Sequence, residues 1–336
     1  MIIRLEEKIK EKQKKNILSI VKSIGYKSAE VKTQAGNYFV CIGSREFDIR
    51  LIGSLDGVAD VHRVSDSYKL VSKKWKVGYS AVSLGDGVKV GGKELTIMAG
   101  PCSIESEEQV SSMVKHLVEN GVRIMRGGVF KPRSSPYAFR GMGMAGLKMF
   151  HRICKKSGIK IITEVMQVSQ IAEMYDYVDI FQVGARNSQN FNLLDELGKV
   201  DKPVLLKRGM SGTIDELLQS AEYVFSNGNE KLLLCERGIR TYETAYRNTF
   251  DINAIAVLKE KSHLPVIADP SHGIGVREHV AAVALAAAVA GADGIIYEVH
   301  EKPEEAASDG QQTLNFSESS EFVSKLRKLD ALKYAL

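Results

Sequence analysis

Short apolar runs recur along the chain, and each is followed by a stretch whose apolar positions have helical spacing. The runs begin near residues 95, 122, 159, 178, 204, 232, 266 and 294. The helical stretches cover residues 105–119, 145–157, 169–175, 189–197, 213–225, 251–261, 276–290 and 321–335. Eight strand and helix pairs over about 240 residues predict a closed parallel (β/α)8 TIM barrel spanning residues 95–336. An open doubly wound sheet is the alternative, but no G-x-G-x-x-G motif follows the first run.

The first 65 residues have a different order of elements. The pattern predicts strands at 2–5, 28–33, 38–42 and 58–64, and helices at 8–24 and 47–55. This β-α-β-β-α-β order predicts a small α+β domain of ferredoxin-like type over residues 1–65. Residues 66–94 are predicted to be a linker, and segments 88–90 and 95–98 flank two glycines as a hairpin would.

Composition narrows the functional class. The 336 residues suffice for one large domain and a small one, and 44% apolar with 26% charged residues is ordinary for a soluble protein. No apolar run reaches the roughly 18 residues of a membrane span, and no apolar signal core begins the chain. We therefore expect a cytoplasmic protein without a membrane partner. A net charge of +5 without a basic stripe argues against a nucleic-acid partner.

One cationic loop, in VRIMRGGVFKPRSSPYAF at residues 122–139, indicates the chemistry. An apolar strand ends there, and a loop stiffened by two prolines follows, so Arg126, Lys131 and Arg133 should converge. Arginine suits phosphate or carboxylate, whereas lysine is a point charge that can also donate a proton. A charge cluster alone is most often a solvated loop, but the other strand ends repeat this arrangement.

The carboxyl ends of the strands in a TIM barrel meet on one rim, where barrel enzymes have their site. The polar residues at the predicted ends are Cys102, Arg126, Lys131, Glu164, Gln182, Arg186, Lys207, Arg208, Glu236, Arg237, Asp269, His272, Glu298 and His300. With Arg133, they carry more positive charge than one phosphate offsets. This predicts two bound phosphates, or a phosphate and a carboxylate, close together.

A mixed set of possible metal ligands lies among these residues. Cys102, His272, Glu298 and Asp309 offer a thiolate, an imidazole and two carboxylates, which suit Mn, Fe, Co or Zn better than Mg or Ca. Each residue also has a simpler interpretation, because a lone cysteine is usually a buried apolar group and an SDG sequence is usually a turn. The four cysteines include no C-x-x-C pair, which argues against a disulfide framework or a zinc ribbon.

Several motifs carry a resemblance to a known family. AGPCSIES, RGGVFKPRSSPYAF, VGARNSQNF, LLKRG, CERGIRT, DPSHG, EVH and SDGQQTL occur in this order between residues 97 and 314. The chain resembles the 3-deoxy-D-arabino-heptulosonate-7-phosphate (DAHP) synthases of the type I beta subclass. The 3-deoxy-octulosonate-8-phosphate synthases share several motifs but have an Asn-Arg-Ser-Ser type loop. This chain has Lys131-Pro132-Arg133-Ser134 there, with serine where threonine is commoner in the heptulosonate enzymes.

The resemblance implies a metal-dependent condensation of phosphoenolpyruvate with erythrose 4-phosphate and water, giving DAHP and phosphate as the first step of the shikimate pathway. One divalent ion, Mn, Fe, Co or Zn, would bind to the four ligands named above. The implied catalytic residues are Lys131 as a proton donor, Glu164 positioning water, and the ligands Cys102 and His272. The implied substrate-binding residues are Arg126, Lys131, Pro132, Arg133, Ser134, Gly184, Ala185, Arg186, Lys207 and Arg237, with Arg133 and Ser134 under the aldose phosphate.

The resemblance also extends to partners. Some members of the subclass carry a ferredoxin-like regulatory domain, so tyrosine or phenylalanine is the expected effector, and a homotetramer is the expected assembly. The alternatives are an octulosonate-phosphate synthase, a non-catalytic phosphate-binding barrel, and a Schiff-base lyase. A binding protein would not need the metal set, and a Schiff-base lysine would not be expected beside several arginines.

Overall fold

The computed structural model describes residues 1–132, 135 and 137–333. The first elements form a four-stranded antiparallel sheet in the order β2-β3-β1-β4. Its strands are β1 (Ile2–Leu5), β2 (Lys27–Lys32), β3 (Asn37–Ile42) and β4 (Val58–His62), and its helices are α1 (Glu11–Ser23) and α2 (Arg50–Gly53). The elements follow the order predicted from the sequence, and the sheet is antiparallel as that order requires.

This sheet has its own core. Ile3 and Phe39 on the sheet, Ile17 and Val21 on α1, and Ile52 on α2 are fully buried and pack together. The spacing of Ile17 and Val21, four residues apart, places both on the face of α1 that covers the sheet.

The connector, which is the predicted linker at residues 66–94, ends in a hairpin whose pairing differs from the prediction. β5 (Val82–Ser83) pairs with β6 (Lys89–Val90), so the predicted pairing of 88–90 with 95–98 is wrong. The reason is that Gly91 and Gly92, with φ of 88° and 106°, redirect the chain, and residues from 96 onward enter the barrel. The apolar side chains of the hairpin pack against inward-facing barrel residues and so close the amino end of the barrel.

Eight parallel strands form the closed barrel in the order of the chain, which confirms the predicted fold. They are β7 (Thr96–Gly100), β8 (Ile124–Arg126), β9 (Lys160–Glu164), β10 (Ile180–Val183), β11 (Val204–Lys207), β12 (Leu232–Glu236), β13 (Val266–Ala268) and β14 (Gly294–Glu298). β14 pairs with β7 in register from Gly294–Thr96 to Glu298–Gly100, which completes the ring.

The helices surround the barrel. They are α3 (Glu107–Glu119), α4 (Gly143–Lys156), α5 (Val168–Met174), α6 (Phe191–Gly198), α7 (Ile214–Ser226), α8 (Ile252–Lys261), α9 (Pro270–Ile274), α10 (Arg277–Val289) and α11 (Phe316–Lys333). α9 was not predicted; it forms because Pro270 occupies its first turn and the Asp269 carboxylate accepts from the His272 amide at 3.1 Å. α11 begins at 316, earlier than expected. None of the described helices combines the length and apolarity needed to cross a membrane.

The connector binds to the amino end of the barrel. The Glu222 carboxylate on α7 accepts from the amides of Leu70 and Val71 at 2.8 and 3.1 Å. Trp75 donates to the Leu70 carbonyl at 2.8 Å, and its ring meets Tyr38 of β3 edge-to-face. The small sheet is therefore attached at the end of the barrel opposite the carboxyl ends of its strands.

Candidate active site

A cavity of about 330 Å³ opens at the carboxyl ends of the barrel strands. Six of its 16 lining residues are arginines or lysines. The lining residues are Arg126, Lys131, Pro132, Ser135, Ala138, Glu164, Gln182, Gly184, Ala185, Arg186, Lys207, Met210, Arg237, Arg247, His272 and Asp309. A pocket of this composition is suited to a small, multiply charged anion.

Arg126, the last residue of β8, is held by two acceptors. Its Nη1 donates to the Pro101 carbonyl at 3.0 Å and to Glu298 Oε1 at 2.7 Å. Burial opposes its charge, yet the Glu298 carboxylate raises the pKa of Arg126 above its ordinary value. Arg126 therefore stays charged beneath the cavity and joins the cationic wall to the acid at the end of β14.

Lys207 and Asp269 form a second buried ion pair. Lys207 Nζ lies 2.5 Å from Asp269 Oδ2, and His272 Nδ1 faces both carboxylate oxygens, at 3.1 Å from Oδ1 and 2.9 Å from Oδ2. The carboxylate thus fixes the orientation of the imidazole and leaves Nε2 free to face Glu298 Oε1 at 3.4 Å. Burial lowers the pKa of His272, which favours the neutral ring that metal ions require.

Arg237, directly after β12, is the most informative cation. It is 4% exposed, and its Nη1 has no hydrogen-bond partner among the residues that the structure describes. Burial lowers the pKa of Arg237 from its ordinary value, because the charged form is poorly solvated there. A buried guanidinium with a free donor is costly unless a ligand supplies an anion, so this group indicates a binding site.

Cys102, Glu298 and Asp309 form a compact cluster in which one ligand atom from each lies within 4.8 Å of the others. The Cys102 thiol contacts Asp309 Oδ2 at 3.1 Å. Burial, assisted by Glu298, raises the pKa of the Cys102 thiol to about 12, so it would ionise at neutral pH only beside a strong cation such as a metal. His272 is outside this tight group but borders it through Glu298. The donor set fits a divalent ion.

Asp309 occupies an unusual backbone conformation. Its φ of 52° is left-handed, which non-glycine residues adopt rarely and aspartate more easily than most. Burial would raise the pKa of its carboxyl, but neighbouring groups, Arg247 foremost, lower it to about 2. Asp309 is therefore ionised throughout the neutral range.

Lys131 lies between the cavity and this cluster. Its Nζ donates to the Cys102 carbonyl at 3.0 Å and approaches the Cys102 Sγ at 2.8 Å. The side chain also lines the cavity, so one ammonium group can reach both the ligand cluster and a bound molecule.

Glu164, at the end of β9, faces the neighbouring strand. A Cβ on Gly184 would lie 2.1 Å from Glu164 Oε1, so a larger residue at 184 would displace this carboxylate from its position. Gln182 Nε2 is a distant partner at 3.5 Å. The carboxylate therefore lies at the cavity wall without a strong ion pair in the described part of the chain.

Comparison with known proteins identifies the family. Residues 74–333 match the DAHP synthetase I family. A phospho-2-dehydro-3-deoxyheptonate aldolase of Thermotoga maritima is 43% identical over 99% of this chain and 98% of its own length. This chain belongs to the DAHP synthetase I family.

Solved structures agree with this family assignment. The crystal structure of the Thermotoga maritima DAHP synthase superposes with a TM-score of 0.79 over 99% of this chain and 98% of that one, at 43% identity. A truncated form of the same enzyme superposes with a TM-score of 0.74 over 79% of this chain and 98% of its own, at 44% identity. The 2-dehydro-3-deoxyphosphooctonate aldolase of Francisella tularensis subsp. holarctica is more distant, at 31% identity over 72% of this chain and 93% of its own length.

Most of the residues singled out in the sequence lie together in this DAHP synthetase I family member. The cavity wall contains Arg126, Lys131, Pro132, Glu164, Gly184, Ala185, Arg186, Lys207, Arg237, His272 and Asp309. Cys102 and Glu298 are buried and contact this wall through Lys131 and Arg126. Arg133 and Ser134 lie outside the described residues.

Other residues of the predicted rim have different surroundings. Arg208 is paired with Glu236 and Asp251 at 2.8 and 2.9 Å. His300 faces Glu105 at 3.7 Å. None of these side chains lines the described cavity, so position at a strand end did not by itself identify a functional residue.

Several side chains of the site were not assigned from the sequence, and two of them contact carboxylates of the ligand cluster. Arg247, in the long connection after β12, lines the cavity and contacts Asp309 Oδ1 at 3.4 Å. Gln312 is fully buried and donates to Glu298 Oε2 at 2.6 Å. Gln312 belongs to the recognised SDGQQTL motif, but Arg247 lies outside every strand and helix and had no periodicity to mark it.

Proposed function

We infer that the chain catalyses the reaction of its family, the condensation of phosphoenolpyruvate with erythrose 4-phosphate and water to give DAHP and phosphate. The free Nη1 of buried Arg237 carries this proposal, because that donor requires an anionic ligand in the cavity. Phosphoenolpyruvate supplies a phosphate and a carboxylate, which suit the cationic wall. The family relation supplies the identity of the anion.

The binding site for phosphoenolpyruvate is assigned to the cationic residues of the cavity wall. Arg126, Lys207 and Arg237 are buried side chains of this wall, and Lys131 is half-buried beside them. Arg186 is exposed and lines the binding site on its solvent side. Pro132, Gly184 and Ala185 supply the remaining surface. Preorganised cations stabilise the charge that develops on the leaving phosphate, and they need little reorganisation.

The metal centre is assigned to Cys102, His272, Glu298 and Asp309. The compact cluster of sulfur and carboxylate oxygens, with the neutral imidazole next to it, supports Mn, Fe, Co or Zn as the ion. A bound ion would act as a Lewis acid towards the aldehyde of the aldose.

The remaining steps are assigned to residues of the wall. Bond formation joins the methylene carbon of phosphoenolpyruvate to the aldehyde carbon, and the Lys131 ammonium protonates the resulting alkoxide oxygen. Attack leaves the carbon bearing the phosphate as an oxocarbenium ion, and Glu164 orients the water that adds to it. The proton that this water loses returns to the now neutral Lys131. The hemiketal hydroxyl then passes its proton to the phosphate as the C–O bond to phosphate breaks, which leaves the ketone of DAHP and phosphate bound by the arginines and lysines. Arg133 and Ser134 are proposed for the aldose phosphate.

Release of phosphate from the full chain, with phosphoenolpyruvate and each aldose phosphate in turn, tests this function. We expect release with erythrose 4-phosphate and a divalent ion, and little with arabinose 5-phosphate. The loop sequence Lys131-Pro132-Arg133-Ser134 is the reason for this preference. Equal or faster turnover of arabinose 5-phosphate would assign the octulosonate reaction. No turnover of either aldose, with phosphoenolpyruvate still bound, would indicate a binding protein.

The small amino-terminal domain, residues 1–65, is proposed to be regulatory, with tyrosine or phenylalanine as effector and a homotetramer as the assembly. Its separate core and its attachment through the connector are consistent with a distinct module. The same assay with either amino acid added tests the regulation, and light scattering of the full chain tests the assembly. A cytoplasmic location remains part of this proposal.

A further inference from the structure

Gln312 is buried between two groups that need opposite hydrogen-bonding partners. Its Nε2 donates to Glu298 Oε2 at 2.6 Å, and its Oε1 accepts from Arg247 Nη1 at 2.7 Å. A carboxylate can only accept and a guanidinium can only donate, so the orientation of the amide is determined by its neighbours. Methionine would match the length of glutamine but supply neither bond, and glutamate would place a second carboxylate against Glu298.

The backbone places Gln312 beside the end of β14. The Leu314 amide donates to the Glu298 carbonyl at 3.1 Å, and the His300 amide donates to the Leu314 carbonyl at 3.0 Å. Thr313 Oγ1 donates to the Asp309 carbonyl at 2.8 Å, which secures the turn containing Asp309. The segment that supplies Asp309 therefore lies along the strand that supplies Glu298.

Arg247 extends this connection to the segment that supplies His272. Its amide donates to the Ile274 carbonyl at 3.0 Å, and the next residue, Asn248, donates to the His272 carbonyl at 2.9 Å. The aliphatic part of its side chain passes over Gly275, where an added Cβ would lie 2.2 Å from Arg247 Cβ and so clash with it. The guanidinium then reaches both Gln312 and Asp309.

We propose that Gln312 is a positioning residue for the metal centre, acting directly on Glu298 and through Arg247 on the segments bearing Asp309 and His272. Glu298 Oε2 is occupied by the amide, so the other oxygen, Oε1, is the one directed towards His272 Nε2 at 3.4 Å. Carboxylate ligands that are fixed by an outer hydrogen bond bind metal more tightly than free ones. The proposal rests on the proposed metal centre.

Metal affinity of the full chain, measured by equilibrium competition for Zn²⁺ against a chromogenic chelator, is the decisive experiment. We expect Gln312→Met to weaken the affinity about 10- to 100-fold. The matched control is Gln311→Met, the same substitution at the preceding, exposed position, which should leave the affinity unchanged. Thermal melts without metal accompany each variant, because a residue needed only for folding would lower the melting temperature without changing the affinity of folded molecules.

Arg247→Met provides the second variant. This side chain is 31% exposed, so its replacement disturbs the core less than a change at Gln312. We expect Arg247→Met to bind metal more weakly than wild type. The double variant should lose less affinity than the product of the two single fold-losses, since both residues act through the same chain of hydrogen bonds from Glu298 to Arg247. If Gln312→Met does not fold, an unchanged affinity in folded Arg247→Met still overturns the proposal, because Gln312 is proposed to act on Asp309 and His272 through Arg247.

The outcomes separate this proposal from the proposed function. Wild-type protein that binds no divalent ion would refute the metal centre itself. The positioning role would be overturned if wild-type protein bound Zn²⁺ and either folded Gln312→Met or folded Arg247→Met bound it with equal affinity. The metal centre would remain supported in that case.

Discussion

The buried polar groups that hold the connector at the amino end of the barrel have different partners from those around the cavity at the carboxyl end. At the amino end, Glu222 accepts from two backbone amides of the connector, and the Ser262 hydroxyl donates to the Val71 carbonyl at 2.7 Å. At the carboxyl end, the polar groups are mostly paired with other side chains, as in Lys207 with Asp269, and Arg237 Nη1 has no partner among the described residues. Backbone partners are fixed by the fold, whereas side-chain partners can be shared with a ligand.

This difference indicates which buried charges serve stability and which serve binding. A polar group that is fully satisfied by backbone atoms contributes to holding the connector on the barrel. An incompletely satisfied group costs stability, and a ligand can offset that cost where the group lines a charged cavity, as Arg237 does. Glu230 Oε2 and Asp330 Oδ1, near the amino end, also lack a partner in the described residues, so a missing partner identifies a binding charge only together with the cavity. The predictions below test this division, first at the carboxyl end and then at the amino end.

The largest effect is expected at Cys102. Cys102→Ala removes the sulfur ligand but leaves the Lys131 bond to the Cys102 carbonyl, so the folded protein should persist while metal-dependent turnover is lost. Phosphate release with added divalent ion measures the activity, and circular dichroism measures the fold. Full activity in a metal-stripped Cys102→Ala protein would contradict the assigned metal centre.

Arg237→Met should separate activity from stability. Removing the guanidinium should lower kcat/KM for phosphoenolpyruvate by about 100-fold or more, because a preorganised charge is lost. The melting temperature should not fall, since the buried Nη1 has no partner in the described part of the chain. Kinetics at varied phosphoenolpyruvate and a thermal melt of the same sample provide the two measurements.

Arg208→Met is the matched comparison for that variant. Arg208 is equally buried but is bonded to Glu236 and Asp251, so the same substitution leaves a buried carboxylate unpaired. We expect destabilisation of about 3–5 kcal/mol. If Arg237→Met destabilised the protein as much as Arg208→Met, the proposed distinction between binding charges and structural charges would be wrong.

The sequence predicted the fold more completely than the details of the site. The eight barrel strands were predicted because buried parallel strands are short and nearly continuous apolar runs, as in Leu232–Glu236. Their carboxyl ends then located Arg126, Lys207 and Arg237 without further information. Hairpin pairing failed because apolar content at 88–90 does not specify which neighbouring segment supplies the partner strand.

What the sequence could not supply is the path of the loops. Arg247 enters the site because its backbone amide donates to the Ile274 carbonyl. Arg247 lies in a loop, where no periodic pattern of apolar residues predicts such a contact. Gln312 was in a recognised motif, but only the structure shows its amide between Glu298 and Arg247. Loop side chains acquire their roles from tertiary contacts, which local patterns do not encode.

The smallest effect concerns His263, at the amino end. Its Nε2 donates to the Leu70 carbonyl at 2.9 Å, and Nδ1 faces the Ser80 hydroxyl at 2.8 Å, so the neutral ring is satisfied. Burial lowers the pKa of His263 to about 4 from an ordinary value of 6.5. Between these pH values the unfolded chain binds a proton that the folded chain does not, so the free energy of unfolding falls as the pH falls.

Protonation of His263 in the unfolded chain lowers the free energy of unfolding by about 2 kcal/mol at pH 5 relative to neutral pH. This decrease levels off below pH 4. Urea unfolding between pH 7.5 and 4.5 should therefore show a shallower pH dependence for His263→Gln than for wild type, although that variant is less stable at pH 7.5. His279→Gln, the same change at an exposed position on α10, should keep the wild-type dependence. An unaltered slope in His263→Gln would mean that this contact does not determine how the connector holds to the barrel in acid. Hydrogen bonds from side chains to the backbone of the connector would then not be what distinguishes the amino end from the carboxyl end.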